Sequence, residues 1–173
     1  MSVSALILRL DQAERRVCLF ANAISRRAVC RGLFQKVSRL GDGIFWYSLI
    51  ASMPLILGEA GWMVGARMVI AGTCGLIIYK VIKRTLVRER PFIGLIGIEC
   101  AMPPLDRYSL PSGHTLHAVL LSTIAINYAP VLAFLLVPFT LMVAVSRVVL
   151  GLHYPTDVIA GAVLGAAIAQ VFI

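Results

Sequence analysis

PVLAFLLVPFTLMVAVSRVV, from Pro130 to Val149, carries one charged residue, Arg147, close to its end. A helix of this length reaches roughly 30 Å at 1.5 Å per residue, the thickness of the hydrocarbon core of a bilayer. The segment therefore reads as a membrane helix. Four more stretches share its character: Gly41 to Gly58, Gly61 to Val81, Gly113 to Tyr128 and Asp157 to Ile173. Several are short for a full span, so their ends draw on polar cap residues or the bundle thins the bilayer. Composition agrees: 60% of the 173 residues are hydrophobic and 14% charged, and the mean hydropathy is +0.90. Those values exclude a water-soluble single domain.

Upstream of the first stretch, Val3, Leu6, Leu10, Ala13, Val17, Phe20, Ala21 and Ile24 recur at spacings of three and four, with Arg9, Gln12, Arg15 and Arg16 opposite. This pattern predicts an amphipathic helix that either lies in the headgroup layer or packs on the bundle. A basic connector (Arg26, Arg27, Arg31, Lys36, Arg39) follows, and Gly41-Asp42-Gly43 breaks it. The predicted architecture is all-α: an integral membrane helical bundle of about five transmembrane helices in residues 41–173, preceded by an interfacial helix and connector in residues 1–40.

Other classes fall away quickly. Sixteen Lys and Arg against eight Asp and Glu give a net charge of +8. No basic stripe interleaved with aromatics lies on a soluble module, so anionic lipid is a better partner than nucleic acid. Cys18, Cys30, Cys74 and Cys100 show no C-x-x-C spacing, which gives neither a metal site nor a disulfide framework. Asp11, Glu14, Arg15 and Arg16 interrupt the first apolar stretch, against a cleaved signal peptide. The expected location is the inner (cytoplasmic) membrane of a bacterium, with the bilayer itself as a partner.

Charge beside a membrane is costly unless it is paired or used. Tracing the spans brings Lys83, Arg90, Ser112, Gly113, His114, Arg147, His153 and Asp157 to one membrane face. Three fixed cations suit an oxyanion with several negative oxygens, phosphate above all. Ser112 is a good helix N-cap, and Gly113 lets the backbone approach an anion at the helix start. His153 precedes Asp157 by four residues, so the carboxylate can fix one imidazole nitrogen and leave the other as an acceptor. His153 is then the nucleophile, Asp157 its orienting group and His114 the acid for the leaving group. Lys83, Arg90, Ser112, Gly113 and Arg147 bind the phosphate. This chemistry calls for no metal and no cofactor. His117 reads as structural or pocket-lining, Arg84 and Arg88 as solvated or headgroup contacts, and Asp106 and Tyr108 as residues of the loop or its entrance, with contact to substrate as their alternative role.

Three signatures in order, Lys83 followed after six intervening residues by Arg90-Pro91, then Pro111-Ser112-Gly113-His114, then Ser146-Arg147 with His153 and Asp157, resemble the type 2 phosphatidic acid phosphatase and vanadium haloperoxidase superfamily. The resemblance implies the same roles for the same residues and fits the membrane branch, although an amphipathic helix stands where many bacterial members have a first span. It implies a membrane lipid phosphate phosphatase acting through a phosphohistidine intermediate on phosphatidylglycerophosphate or phosphatidic acid. Alternatives are an undecaprenyl pyrophosphate or lipid A phosphatase, vanadium-dependent halide oxidation, or a non-enzymatic protein that binds or transports anionic lipid. All basic residues but Arg67 fall on the site's side, which the positive-inside rule assigns to the cytoplasm. Gly161 and Gly165 are placed to pack against a neighbouring helix.

Overall fold

A computed structural model describes residues 3–173, with side chains from Asp11 onward. The described chain is helical, with no strand among the described residues. Its elements are α1 (Val3–Ile24), α2 (Ala28–Leu40), α3 (Ile44–Leu57), α4 (Glu59–Leu86), α5 (Pro91–Gly94), α6 (Gly113–Tyr128), a 3-10 turn (Pro130–Leu132), α7 (Ala133–Val149) and α8 (Pro155–Ala169). All five apolar stretches form helices. By length and composition, Glu59–Gly94 and Pro130–Val149 can each cross a membrane, and the α2–α3 pair, bent by 48°, makes a third candidate.

The central element is α6. Thr115, Leu116, Ala118, Leu120, Leu121, Ser122, Ile124 and Ala125 are all buried, enclosed by α4, α7 and α8. A helix wrapped by protein need not be uniformly apolar, since polar side chains can be satisfied inside the bundle. The hydroxyls of Ser122 and Thr140, on α7, meet at 2.8 Å. Close packing against α8 requires glycine. A Cβ on Gly161 would lie 2.5 Å from the Ser112 carbonyl oxygen, and one on Gly165 would lie 2.4 Å from that of Leu116. The four-residue glycine spacing thus serves a contact within the bundle.

One part of the chain departs from the sequence reading, and another settles which of its faces packs on the bundle. The basic connector is helical as α2, because Val29, Leu33, Phe34 and Val37 supply three- and four-residue spacing between its charges. It packs on α7, so the first apolar helix is a continuation of α2 bent at Gly41-Asp42-Gly43. The α1 helix has the expected bounds and packs on the bundle with the face away from its apolar stripe. Cys18, Asn22 and Ser25 are buried, whereas Val17, Phe20 and Ile24 of the apolar stripe face outward. Asn22 explains this: its Nδ2 donates to the carbonyls of Glu99 (3.0 Å) and Val149 (3.1 Å), and its Oδ1 accepts from the Glu99 amide at 2.8 Å. The helix docks through Asn22 together with Cys18, which packs against Leu95 and Ile98, and its apolar stripe is exposed. The side chains of Val3, Leu6, Arg9 and Leu10 lie outside the described residues. At the opposite end of the bundle, Arg67 donates to the Tyr128 hydroxyl.

At its C-terminus α4 stops on Val87, whose backbone is left-handed (φ 41°). This is an unfavourable conformation for a β-branched residue, and it turns the chain between Lys83 and Arg90.

Replacing Gly165 or Gly161 with Ala is expected to cost about 1–3 kcal/mol by overpacking, seen as a lower melting temperature in detergent. Gly32→Ala, which meets nothing within 4 Å, serves as the control. Unchanged melting of Gly165→Ala would contradict the α6–α8 contact.

Candidate active site

Helix ends converge at one rim of the bundle. Lys83 comes from the last turn of α4 and Arg147 from the last turn of α7. Arg90 caps α5, Ser112 caps α6, and His153 lies in the short link before α8. A cavity of about 420 Å³ is lined by Lys83, Arg90, Gly113, His114, Arg147 and His153 together with Asp42, Asp106 and His117. Ser112 and Asp157 stand behind its wall: the Ser112 hydroxyl accepts from the Thr115 amide at 3.4 Å, and the Ser112 amide donates to the Asp157 carbonyl at 3.0 Å. That backbone bond ties the start of α6 to the start of α8.

The cations are buried, so each needs a partner. Lys83 Nζ donates to both carboxylate oxygens of Asp106, at 2.7 and 2.8 Å. Arg90 donates to the same carboxylate at 2.7 Å, to the Asp106 carbonyl at 3.1 Å and to the Leu152 carbonyl at 2.7 Å. Arg147 donates to Ser38 of α2, while its Nε has no partner. Burial raises the Asp106 pKa, but Lys83 and Arg90 outweigh it and hold the carboxyl below its ordinary value.

His153 is fully enclosed. Its Nε2 lies 3.3 Å from an Arg90 N–H and its Nδ1 lies 3.5 Å from Asp157 Oδ2. Nδ1 makes no hydrogen bond, so the expected contact with Asp157 is a close approach. Burial first, then the charges of Arg147, Arg90 and Lys83, hold His153 well below the usual imidazole range. The ring is therefore neutral at neutral pH. An arginine N–H can only donate, which makes Nε2 the acceptor and places the proton on Nδ1, toward the carboxylate. His114 Nε2 pairs with Asp42 in the α2–α3 bend. His117 lies between the carbonyls of Gly113 (2.9 Å) and Gly72 (3.1 Å) on the cavity wall.

Three residues acquire roles that the sequence reading did not give them. Asp42 appeared only as part of a helix break, yet an acid flanked by two glycines beside an apolar segment is a signal that a cation or imidazole lies near. Asp106 appeared as a loop residue. Arg88 is neither free in solvent nor on headgroups, since it donates to Asp157 Oδ1 at 2.7 Å and to Glu14 at 2.7 Å. Among the described residues, no three His, Cys, Asp or Glu side chains are grouped to hold a metal ion.

The Asp106 pairing has a pH signature. A carboxylate whose folded pKa is depressed contributes stability that is complete above its unfolded value, about 3.9, and lost as the pH falls through the folded value. Asp106→Asn should melt below the wild type at neutral pH, with the gap constant down to about pH 4 and closing below it. A gap that persists undiminished at pH 2–3 would show that the ion pairs do not supply it.

Residues 59–173 match the model of the PAP2 superfamily. The chain is 30% identical over 142 residues to an undecaprenyl-diphosphatase of Sulfolobus acidocaldarius, an alignment covering 80% of this chain and 66% of that protein. It is 37% identical over 123 residues to a decaprenylphosphoryl-5-phosphoribose phosphatase of Mycolicibacterium smegmatis, covering 67% and 62% respectively. The aligned region thus spans just under two thirds of the length of each relative. Two crystal structures share the fold at 21% identity. They are a PAP2 type phosphatidylglycerolphosphate phosphatase from Bacillus subtilis (TM-score 0.76, 95% of this chain and 84% of that one) and Aquifex aeolicus LpxE (TM-score 0.77, 90% and 92%). With the family model covering α4 through α8 and all the cavity's cations, the chain belongs to the PAP2 superfamily.

Proposed function

We propose that this chain is a membrane lipid phosphate phosphatase that works through a phosphohistidine intermediate, with a prenyl-linked phosphate or diphosphate as substrate. One observation carries the reading: a single cavity joins three buried cations and two histidines at its polar end to an apolar wall between α3 and α4, including Trp46, Tyr47, Ile50, Met68, Val69 and Leu76. The polar end suits a phosphoryl group and the wall suits a lipid tail. The names of the two relatives at 30% and 37% identity favour a prenyl-linked substrate. Phosphatidylglycerophosphate, phosphatidic acid and lipid A, which the polar end would serve equally, are the comparators.

In this mechanism the phosphoryl group displaces the Asp106 carboxylate from Lys83 and Arg90, and Arg147 and the Gly113 backbone take its remaining oxygens. His153 Nε2 attacks phosphorus as the bond to the leaving oxygen breaks, and His114 gives that oxygen a proton. Nδ1–H, directed at Asp157, carries the positive charge that develops on the ring. Water, losing its proton to His114, then attacks the phosphorus, breaks the P–N bond and releases inorganic phosphate, which returns both imidazoles to their starting state. A span each is assigned to α3 (extended by α2), α4, α6, α7 and α8, and the site to the cytoplasmic face, because the exposed Arg26, Arg27, Lys36, Arg39, Lys80, Arg84 and Arg107 all belong to segments that precede α3 or follow the middle of α4 toward the site.

Phosphate release from prenyl diphosphate, phosphatidylglycerophosphate, phosphatidate and lipid A tests the chemistry. Activity should persist in EDTA, and His153→Ala should lower turnover by roughly a thousandfold or more while lipid binding is retained. Equal activity in wild type and His153→Ala would refute the mechanism, and complete loss in chelator would refute its metal independence. Sidedness has its own check: with five spans and a cytoplasmic site, a reporter fused to the C-terminus reads as external.

A further inference from the structure

Behind the cavity wall a line of charged groups runs from the N-terminal helix to the proposed nucleophile. Glu14 of α1 accepts from Arg88 at 2.7 Å with one oxygen, and with the other from the Thr156 amide at 2.9 Å and the Thr156 hydroxyl. Arg88 donates through its other terminal nitrogen to Asp157 Oδ1 at 2.7 Å and to Thr156 Oγ1 at 2.7 Å. Its guanidinium lies 4.0 Å over the Tyr154 ring. The second Asp157 oxygen accepts from the Tyr154 amide at 2.8 Å and faces His153 Nδ1. Arg88 does not line the cavity, so it acts on substrate only through another residue.

The chemistry of this arrangement is specific. The Asp157 side chain is fully buried and that of Glu14 nearly so, at 0% and 9% exposed. A buried carboxylate needs fixed donors on both oxygens to stay ionised and in one rotamer. The Tyr154 amide supplies one and Arg88 the other. Arginine's guanidinium bridges two carboxylates with one rigid planar group, which the single ammonium of lysine cannot do. Burial acts against the charge on Arg88, yet Asp157 and Glu14 outweigh it and raise the pKa above the ordinary value. Glu14 lies outside the segment that matches the family model, residues 59–173.

We propose that Arg88, held by Glu14 of α1, is a positioning residue that fixes the Asp157 carboxylate and thereby the aim of His153. The inference rests on the proposed roles of His153 and Asp157. It makes α1 a support of the chemistry as well as a membrane-facing helix.

A double-mutant cycle on the full chain in detergent, with farnesyl diphosphate as probe and phosphate release as readout, tests it. Arg88→Gln should lower kcat roughly 10- to 100-fold with KM changed less than about twofold, the size of coupling seen between contacting groups. Glu14→Gln should lower kcat less, and Arg88→Lys should restore only part of the Arg88→Gln loss. In an Asp157→Asn background, Arg88→Gln should change kcat by less than about twofold, because the residue through which it acts is already disabled. Full multiplication of the two effects, or a change in KM or melting temperature with kcat intact, overturns the proposal and leaves the phosphatase reading standing. If Asp157→Asn alone leaves kcat unchanged, both fall. Should Arg88→Gln fail to fold, Arg88→Lys and Glu14→Gln, which keep a cation against Asp157, carry the same cycle.

Discussion

Three cations forced together out of water are the constraint around which this protein is built. Lys83, Arg90 and Arg147 repel one another and lose hydration at the same rim of the bundle, an arrangement that stands only if fixed acceptors surround it. The chain supplies them from unexpected places: a loop carboxylate for the first two, a hydroxyl of α2 for the third, and the Leu152 carbonyl beside His153. Those acceptors have distinct fates. A carboxylate in a loop can leave, and a phosphoryl group offers the same cations more oxygens and more charge. A backbone carbonyl cannot leave, so Arg90 stays anchored next to His153 throughout.

The same electrostatics shape His153. Enclosed by positive charge, the imidazole remains neutral and keeps a lone pair on Nε2, while Asp157 faces Nδ1 from the other side, where in the proposed mechanism it would offset the charge that forms when Nε2 attacks. In that mechanism the reactive end of the ring and its stabilising end are separated by the ring itself. The Tyr154 amide and Arg88 hold Asp157 from behind, and none of these groups needs to touch substrate.

Much of this was legible in the sequence because it is local or periodic. Apolar length marks the helices, and motif spacing places Lys83, Arg90, His114, Arg147 and His153 at helix ends, which the bundle brings to one cavity. The helical nature of residues 28–40 was obscured by charge density, since Arg and Lys on one face of α2 read as a connector. The inward face of α1 was hidden for a related reason: periodicity locates an apolar stripe, but the contacts with the bundle come from other positions, Glu14, Cys18 and Asn22. Asp42, Asp106 and Glu14 reach the site across 72, 23 and 142 residues from His114, Lys83 and Thr156. No local pattern encodes such pairings, because each depends on how helices pack and not on how any one of them forms.

The glycine seam between α6 and α8 bears on how the molecule meets its surroundings. With Gly161 and Gly165 seated against the carbonyls of Ser112 and Leu116, sliding one helix along the other would lift carbonyl oxygens out of their seats, so the two behave as a single rigid strut. The imidazoles of His114 and His153 are mounted at one end of that strut. The α3 helix packs on α4 and enters through the 48° bend from α2. A tilt of α3 at that bend, as a change in bilayer thickness would impose, leaves the distance between the two rings constant.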